Sequence, residues 1–409
     1  MIRYKYLSVA GLLQKYLPPV LGALFNLFAV FAVSCLNGIY SFLRAASVPA
    51  SKAVSRLTDR WDGSSWFRWR PTSIMQLSAI EHKIFQCIRS KLESMFVPIR
   101  SNECQIRTII VNRNHPRIPL VMVHGMGGGV GLWTLNIDSL ATKRTVYAFD
   151  LLGFGRSSRP SFSSDAMDAE NQFIDAIEEW RQQMKLDKFI LLGHSLGSYL
   201  ATSYAIRHPD RVHHLIAVEP WGFPEKPVQA TNQPKLSYWA RAVITMARPF
   251  NPLAVIRAAG PWGPGLVKKF RPDLKQRFSP LFDDDTILNY IYHCNAQTPR
   301  RISIRTMSIP FGWAKHPMIL RITDLDKSIP ITLVYGSRSW IDSSTGQNVK
   351  YLRPDSYVDV QVIQGAGHHV FADRCEEFNS LINEVCDLVD HQSLQTRNLE
   401  NDDRDNDIF

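Results

Sequence analysis

The run Phe189-Ile-Leu-Leu-Gly-His-Ser195-Leu-Gly-Ser-Tyr-Leu-Ala-Thr-Ser-Tyr-Ala-Ile206 decides the fold. Its first four residues are apolar without alternation, as in a strand covered on both faces. Its second half reads as a helix. Between them, Gly193-His194-Ser195-Leu196-Gly197 fits Gly-x-Ser-x-Gly, the sharp strand-to-helix turn that exposes a serine hydroxyl above a sheet edge. Small residues permit the turn, and the following helix aims its first amides at negative charge developing beside the serine. Ser195 is the expected nucleophile.

Around this element the chain alternates short β-rich runs with helical patterns. Strands are expected over 105–111, 119–123, 145–149, 189–192, 215–218, 331–335 and 358–363. Phe173, Ile177, Trp180 and Met184 recur at spacings of 4, 3 and 4, a helix that buries one face. The alternation predicts an α/β fold with a mostly parallel sheet. It breaks from Gly222 to about Pro330, where Pro and Gly cluster, strands are scarce, and Asp283, Asp284 and Asp285 announce a helix over TILNYIY. So long an insertion is too large for a loop and reads as a helical cap.

A serine nucleophile needs a base and an acid, in the chain order Ser, Asp/Glu, His for this turn. His368 follows the last strand, behind the small residues Gly365, Ala366 and Gly367, and is preferred to its neighbour His369 as the base. For the acid, Asp342 follows the strand at 331–335 and lies nearer His368. Glu219, after the strand at 215–218, is its one rival. The oxyanion hole needs two backbone N–H groups. Leu196 supplies one, and Met126 in the run His124-Gly-Met-Gly-Gly-Gly129 the other. That glycine run lacks the Lys-Ser/Thr of a phosphate loop and the spacing of a dinucleotide site. His368 and Asp373 also satisfy His-x4-Asp, a motif of glycerolipid acyltransferases, although the triad alone accounts for His368.

Composition narrows the setting. The 409 residues are 45% hydrophobic, enough for a sizeable core, and carry a net charge of +10. Seven of those units lie in residues 1–70, and the last nineteen residues carry −3. No zinc-ligand spacing, basic repeat or RNA-binding aromatic pattern accompanies the charge, so a nucleic-acid partner is not expected. The six cysteines are scattered without a CxxC pair, as in a reducing compartment. No metal or organic cofactor is expected.

Residues 16–43 form an uncharged, largely apolar stretch of 28 residues, long enough to span a bilayer and too long for an ordinary signal-peptide core. Pro18 and Pro19 also allow a hairpin entering a single leaflet. The run Trp61-Asp-Gly-Ser-Ser-Trp66-Phe-Arg68-Trp69-Arg70 suits a membrane interface, where indoles sit among headgroups and guanidinium groups meet phosphates. The expected organisation is an apolar anchor or hairpin over 1–57 and a Trp-rich surface segment plus helix over 58–103, the helix at 73–95. A catalytic domain over 104–390, with its cap at about 222–330, and a disordered acidic tail over 391–409 follow.

FDLLGFGRSSRP from Phe149, GHSLGSYLATSY from Gly193, VEPWGFP from Val218, NPLAVIRAAGPWGPGLV from Asn251, YIYHCNAQ from Tyr290, FGWA from Phe311 and GAGHHVFAD from Gly365 together resemble the α/β-hydrolase-domain-containing protein 4 and 5 family over about residues 61–390. The resemblance implies an α/β-hydrolase fold. Its protein 4 branch implies a serine hydrolase acting on N-acyl phosphatidylethanolamine and lysophospholipids. Its protein 5 branch implies a coactivator of a triglyceride lipase on lipid droplets, with lysophosphatidic acid acyltransferase activity. Ser195 follows the first branch, since the vertebrate protein 5 has Asn there. Arg338 and Gly367 match the lipase-coactivation residues of the second. Ser198 departs from both, which have Gly. The Trp-rich run resembles the family's lipid-droplet-targeting segment, which implies membrane association at a lipid droplet, endoplasmic reticulum or mitochondrion, with a cytosolic catalytic domain. The implied partners are a phospholipid or acylglycerol substrate, a lipid surface, and a triglyceride lipase or droplet coat protein.

Overall fold

In the computed structural model, residues 72–226, 260–297, 306–309 and 312–406 are described. The apolar stretch at 16–43 and Trp61, Trp66 and Trp69 lie outside them. Among the described residues no helix is long and apolar enough to cross a membrane.

Eight strands form one sheet: β1 (Leu92–Ile99), β2 (Cys104–Val111), β3 (Leu120–Val123), β4 (Val146–Phe149), β5 (Phe189–His194), β6 (Val212–Val218), β7 (Ile331–Gly336) and β8 (Val358–Ile363), in the order β1-β2-β4-β3-β5-β6-β7-β8. β2 pairs antiparallel with β1 and β4, and every other pairing is parallel. β3 and β5 are wholly buried runs. Successive residues face opposite sides. Val121, Val123 and Leu191 join one apolar cluster with Phe149, Phe173 and Trp180, while Leu120, Met122, Ile190 and Leu192 join the other with Trp133, Tyr290 and Phe371. This is the doubly covered α/β sheet that the apolar runs predict.

The helix expected over 73–95 is shorter. α1 (Ile74–Phe85) starts at Ser73, whose Oγ accepts the Gln76 N–H at 3.1 Å, and buries Leu77, Glu81 and Ile84. The chain then leaves the helix at Arg89 and Ser90, whose N–H groups donate to the Asp138 carboxylate. Leu92, Met95, Phe96 and Ile99 keep helical spacing, yet they belong to β1. The eight-residue ladder from Leu92 opposite Val111 to Ile99 opposite Cys104 satisfies their backbone, and a turn with positive φ at Arg100, Ser101 and Asn102 joins the two strands. The eight-stranded sheet therefore begins at Leu92.

α2 (Ile137–Leu140) is a single turn. α3 (Ala166–Gln183) is capped by Asp165 and buries Phe173, Ile177 and Trp180, the pattern expected of it. α4 (Leu196–Arg207) follows the turn at Ser195. The region between β6 and β7 is helical where described, with α5 (Gly263–Phe270), α6 (Pro272–Arg277) and α7 (Thr286–Ala296) and a two-residue hairpin pairing Ser308–Ile309 with Trp313–Ala314. As the three acids announced, Asp284 accepts the Thr286 N–H at 2.9 Å where α7 begins. α8 (Ser344–Leu352) lies between β7 and β8, and α9 (Val370–Asp373) and α10 (Cys375–Asn406) close the chain. α10 buries Phe378, Ile382, Val385, Cys386 and Val389 and runs on to Asn406 through the segment expected to be disordered. Residues 391–406 hold no Gly or Pro, the two residues that most strongly oppose a helix interior.

Candidate active site

The elbow is built from close backbone approaches. A Cβ on Gly193 would lie 2.3 Å from the Gly197 carbonyl oxygen, and one on Gly197 would lie 2.3 Å from that of Val123, so neither position admits a side chain. Ser195 sits at φ 54° and ψ −116°, left-handed backbone that a serine adopts only under constraint. Its N–H donates to the Val218 carbonyl at 2.9 Å. The Ser198 hydroxyl lies 2.5 Å from the Gly193 carbonyl and 2.9 Å from that of Val218, tying the first turn of α4 to β5 and β6.

Ser195 Oγ lies 3.1 Å from His368 Nε2, and His368 Nδ1 lies 3.1 Å from an oxygen of Glu219. Glu219 is fully buried. Its other oxygen accepts the Gly336 N–H at 2.6 Å, and the Ser339 hydroxyl donates to the oxygen that faces His368. Asp342, preferred in sequence as the acid, is not brought to the imidazole: it is exposed and accepts the N–H and hydroxyl of Ser344. The sheet order explains the correction. β6 lies between β5 and β7, so the residue after β6 emerges beside the elbow, while the loop after β7 presents Ser339 to Glu219 and carries Asp342 outward.

Burial holds the His368 imidazole at about 4, with repulsion from Arg271 and Arg277 adding to it. Burial raises Glu219 to about 7, against the donors Ser339 and Gly336. At neutral pH the imidazole is therefore neutral. Where Glu219 is ionised, its carboxylate accepts at Nδ1, so that nitrogen carries the proton and Nε2 is left to accept one.

The glycine-rich loop passes against the elbow, where a Cβ on Gly125 would lie 2.9 Å from Ser195 Cβ. Asp150 accepts the Val130 N–H at 2.8 Å, and the Tyr290 hydroxyl accepts that of Gly131 at 3.0 Å. Asn295 Nδ2 donates to the Gly127 carbonyl at 2.7 Å, so cap helix α7 braces this loop. Met126 follows Gly125 directly, and Leu196 is the first residue of α4, where an N–H has no acceptor within its helix.

Asp373 is not bonded to the His368 side chain. It accepts the Gly367 N–H at 2.8 Å and pairs with Arg277. Arg338 lies against the loop that carries Gly367: its N–H donates to the Ala366 carbonyl at 2.8 Å, and its guanidinium donates to that of Gly365.

Sequence reasoning missed three neighbours of His368. Buried His194 donates from Nε2 to the His368 carbonyl at 2.8 Å. Ser339 anchors Glu219. Trp340, 69% exposed, sets its ring 5.2 Å from that of His368. Only His194 carried a signal, as the variable residue of the elbow motif.

The family described as alpha/beta hydrolase fold matches residues 118–249. Over 332 residues the chain is 53% identical to the (lyso)-N-acylphosphatidylethanolamine lipase of Homo sapiens, an alignment covering 81% of this chain and 97% of that one. The chain belongs to this α/β-hydrolase family. The hydrolase is also 50% identical over 339 residues to the 1-acylglycerol-3-phosphate O-acyltransferase ABHD5 of Mus musculus, covering 81% and 96% of the two chains. Both relatives match the resemblance read from the motifs. Carboxylesterase CesB of Bacillus subtilis shares the fold of the hydrolase at a TM-score of 0.53 and 13% identity, covering 76% of this chain and 96% of that one.

Proposed function

We propose that this α/β-hydrolase cleaves acyl esters of a glycerophospholipid, a lysophospholipid or N-acyl phosphatidylethanolamine through an acyl-enzyme on Ser195. The observation that carries the reading is the hydrogen-bonded line from Ser195 Oγ through His368 to the buried Glu219 carboxylate. His368 Nε2 takes the hydroxyl proton as Oγ attacks the ester carbonyl. The N–H groups of Met126 and Leu196 donate hydrogen bonds to the oxyanion. As the tetrahedral intermediate collapses, the alcohol leaves with the proton from His368. Water then gives a proton to the same imidazole and attacks the acyl-serine, and the fatty acid departs as Ser195 is reprotonated. Glu219 holds the imidazole in the required tautomer and stabilises its cation. The lipid class follows the name of the 53% identical relative. The apolar stretch at 16–43 and the Trp and Arg residues at 61–70 support action at a membrane or lipid-droplet surface.

A second reading has the acyl-serine resolved by the hydroxyl of a 1-acylglycerol-3-phosphate in place of water, giving a diacyl product. The name of the 50% identical relative favours it. A third role, as a partner of a triglyceride lipase, is supported by the contiguity of Arg338 with the Gly367 loop on an exposed edge.

A fluorophosphonate probe tests the enzyme reading. The folded wild type labels and Ser195→Ala does not; a folded wild type without labelling overturns it. Arg338→Ala that still labels but loses stimulation of a triglyceride lipase separates the third role from the first.

A further inference from the structure

The His-x4-Asp spacing is left unexplained by the line from Ser195 to Glu219. Asp373 ends α9, five residues after His368, and its side chain is only 11% exposed. One oxygen accepts the N–H of Gly367, the residue directly before His368, at 2.8 Å. The other pairs with Nε of Arg277, the last residue of cap helix α6. Arg277 is also paired with Asp273 of the same helix at 2.7 Å. Asp273 in turn holds the guanidinium of Arg271 through two contacts of 3.0 Å, and that guanidinium lies 3.4 Å from Nδ1 of His369. The start and end of α6 thus reach the histidine loop on both sides of His368, at His369 and, through Asp373, at Gly367.

We propose that Asp373 and Arg277 are positioning residues, an ion pair that latches cap helix α6 to the loop carrying His368 and so couples the place of the cap to the place of the imidazole. The inference rests on the hydrolase reading above. Both Asp373 oxygens are engaged away from the imidazole, so the motif acts on hydrolysis and acyl transfer alike. A largely buried ion pair is weak evidence for stability, because desolvation offsets its attraction. Its consequence here is geometric. The amide that Asp373 holds belongs to the peptide entering His368, and a small displacement of a general base is felt strongly in rate.

The electrostatic surroundings give a readout that a merely structural pair lacks. His368 is bonded to Ser195 and Glu219, and the rings of His194, His369 and Trp340 lie 4.9, 5.5 and 5.2 Å from its own. Arg271 and Arg277 disfavour its cation, while Asp373 favours it.

The test measures fluorophosphonate labelling and ester hydrolysis of the full chain against pH, for Arg277→Gln, Asp373→Asn, Arg277→Lys and the double variant Arg277→Gln/Asp373→Asn. Each single variant is expected to lower kcat about tenfold with KM within about twofold. The acid limb should move to higher pH in Arg277→Gln and to lower pH in Asp373→Asn. The double variant should be no slower than the slower single, as for two residues acting as one unit. Arg277→Lys keeps the charge, so its limb stays near the wild-type position while its rate falls. Losses that multiply, or acid limbs that stay in place, overturn the latch. If one neutralised variant is unfolded at assay temperature by thermal melting, the other and Arg277→Lys carry the same test. A folded wild type that does not label overturns the hydrolase reading instead, before any variant is compared.

Discussion

His368 Nδ1 lies 3.1 Å from a Glu219 oxygen, whereas Asp342 faces solvent and bonds Ser344. In the proposed triad, the carboxylate that faces the imidazole therefore comes from the end of β6, beside the elbow. Glu219→Gln leaves the shape of the side chain and removes the charge that selects the imidazole tautomer. It should lower kcat by about 10⁴-fold, the drop seen when a triad Asp becomes Asn. Asp342→Asn should stay within about threefold of wild type, as expected for an exposed carboxylate remote from the reacting atoms. The two variants assayed side by side decide the assignment, and a larger loss in Asp342→Asn would reverse it.

Ser198 occupies a position where the resembled family has Gly, yet its hydroxyl binds two strand carbonyls from the first turn of α4. Ser198→Ala removes that link, worth about 1 kcal/mol for a buried hydrogen bond. Ser198→Gly adds about 1 kcal/mol more for glycine in a helix. Urea unfolding should rank wild type above Ala above Gly, with labelling of Ser195 retained in all three. A glycine variant as stable as wild type would remove the structural role given to this hydroxyl.

What was legible in the chain was whatever local pattern sets alone. The apolar runs of β3 and β5, the glycines of the elbow and the acids before α7 each state their geometry within a few residues. β1 was not legible, because Leu92, Met95, Phe96 and Ile99 keep helical spacing and only pairing with β2 makes them a strand. The triad acid depends on strand order. Nearness along the chain favours Asp342, whereas β6 beside β5 and β7 brings in Glu219, which precedes His368 by 149 residues.

His214 gives a pH prediction away from the site. It lies buried on β6 with Nε2 2.9 Å from the Thr332 hydroxyl, and burial lowers it to about 4. Between that value and the ordinary 6.5, the unfolded chain binds a proton that the folded chain does not. Its share of stability is full above pH 6.5 and is lost as the pH falls toward 4. At pH 4.5 the loss is on the order of 2 kcal/mol. In His214→Gln, the fall in unfolding free energy from pH 7 to 4.5 should be smaller by about that amount. An unchanged fall would show that His214 is not held neutral.

The proposed lipid-facing end can be divided experimentally. Residues 1–57 contain the apolar stretch, whereas Trp61, Trp66, Trp69, Arg68 and Arg70 follow it. Deleting 1–57 removes the proposed apolar anchor and leaves indoles suited to the headgroup boundary and guanidinium groups that attract anionic lipid. Basic residues near such a surface contribute about 1 kcal/mol each at low salt and are screened within a Debye length. The deletion variant should thus bind phosphatidylserine-containing vesicles more weakly than the full chain, and raising the salt should release it more readily. Replacing Trp61, Trp66 and Trp69 by Ala in the deletion variant should abolish the remaining binding. Vesicle flotation at low and high salt separates the outcomes: a deletion variant that stays wholly soluble at low salt would show that the tryptophan segment is no anchor of its own.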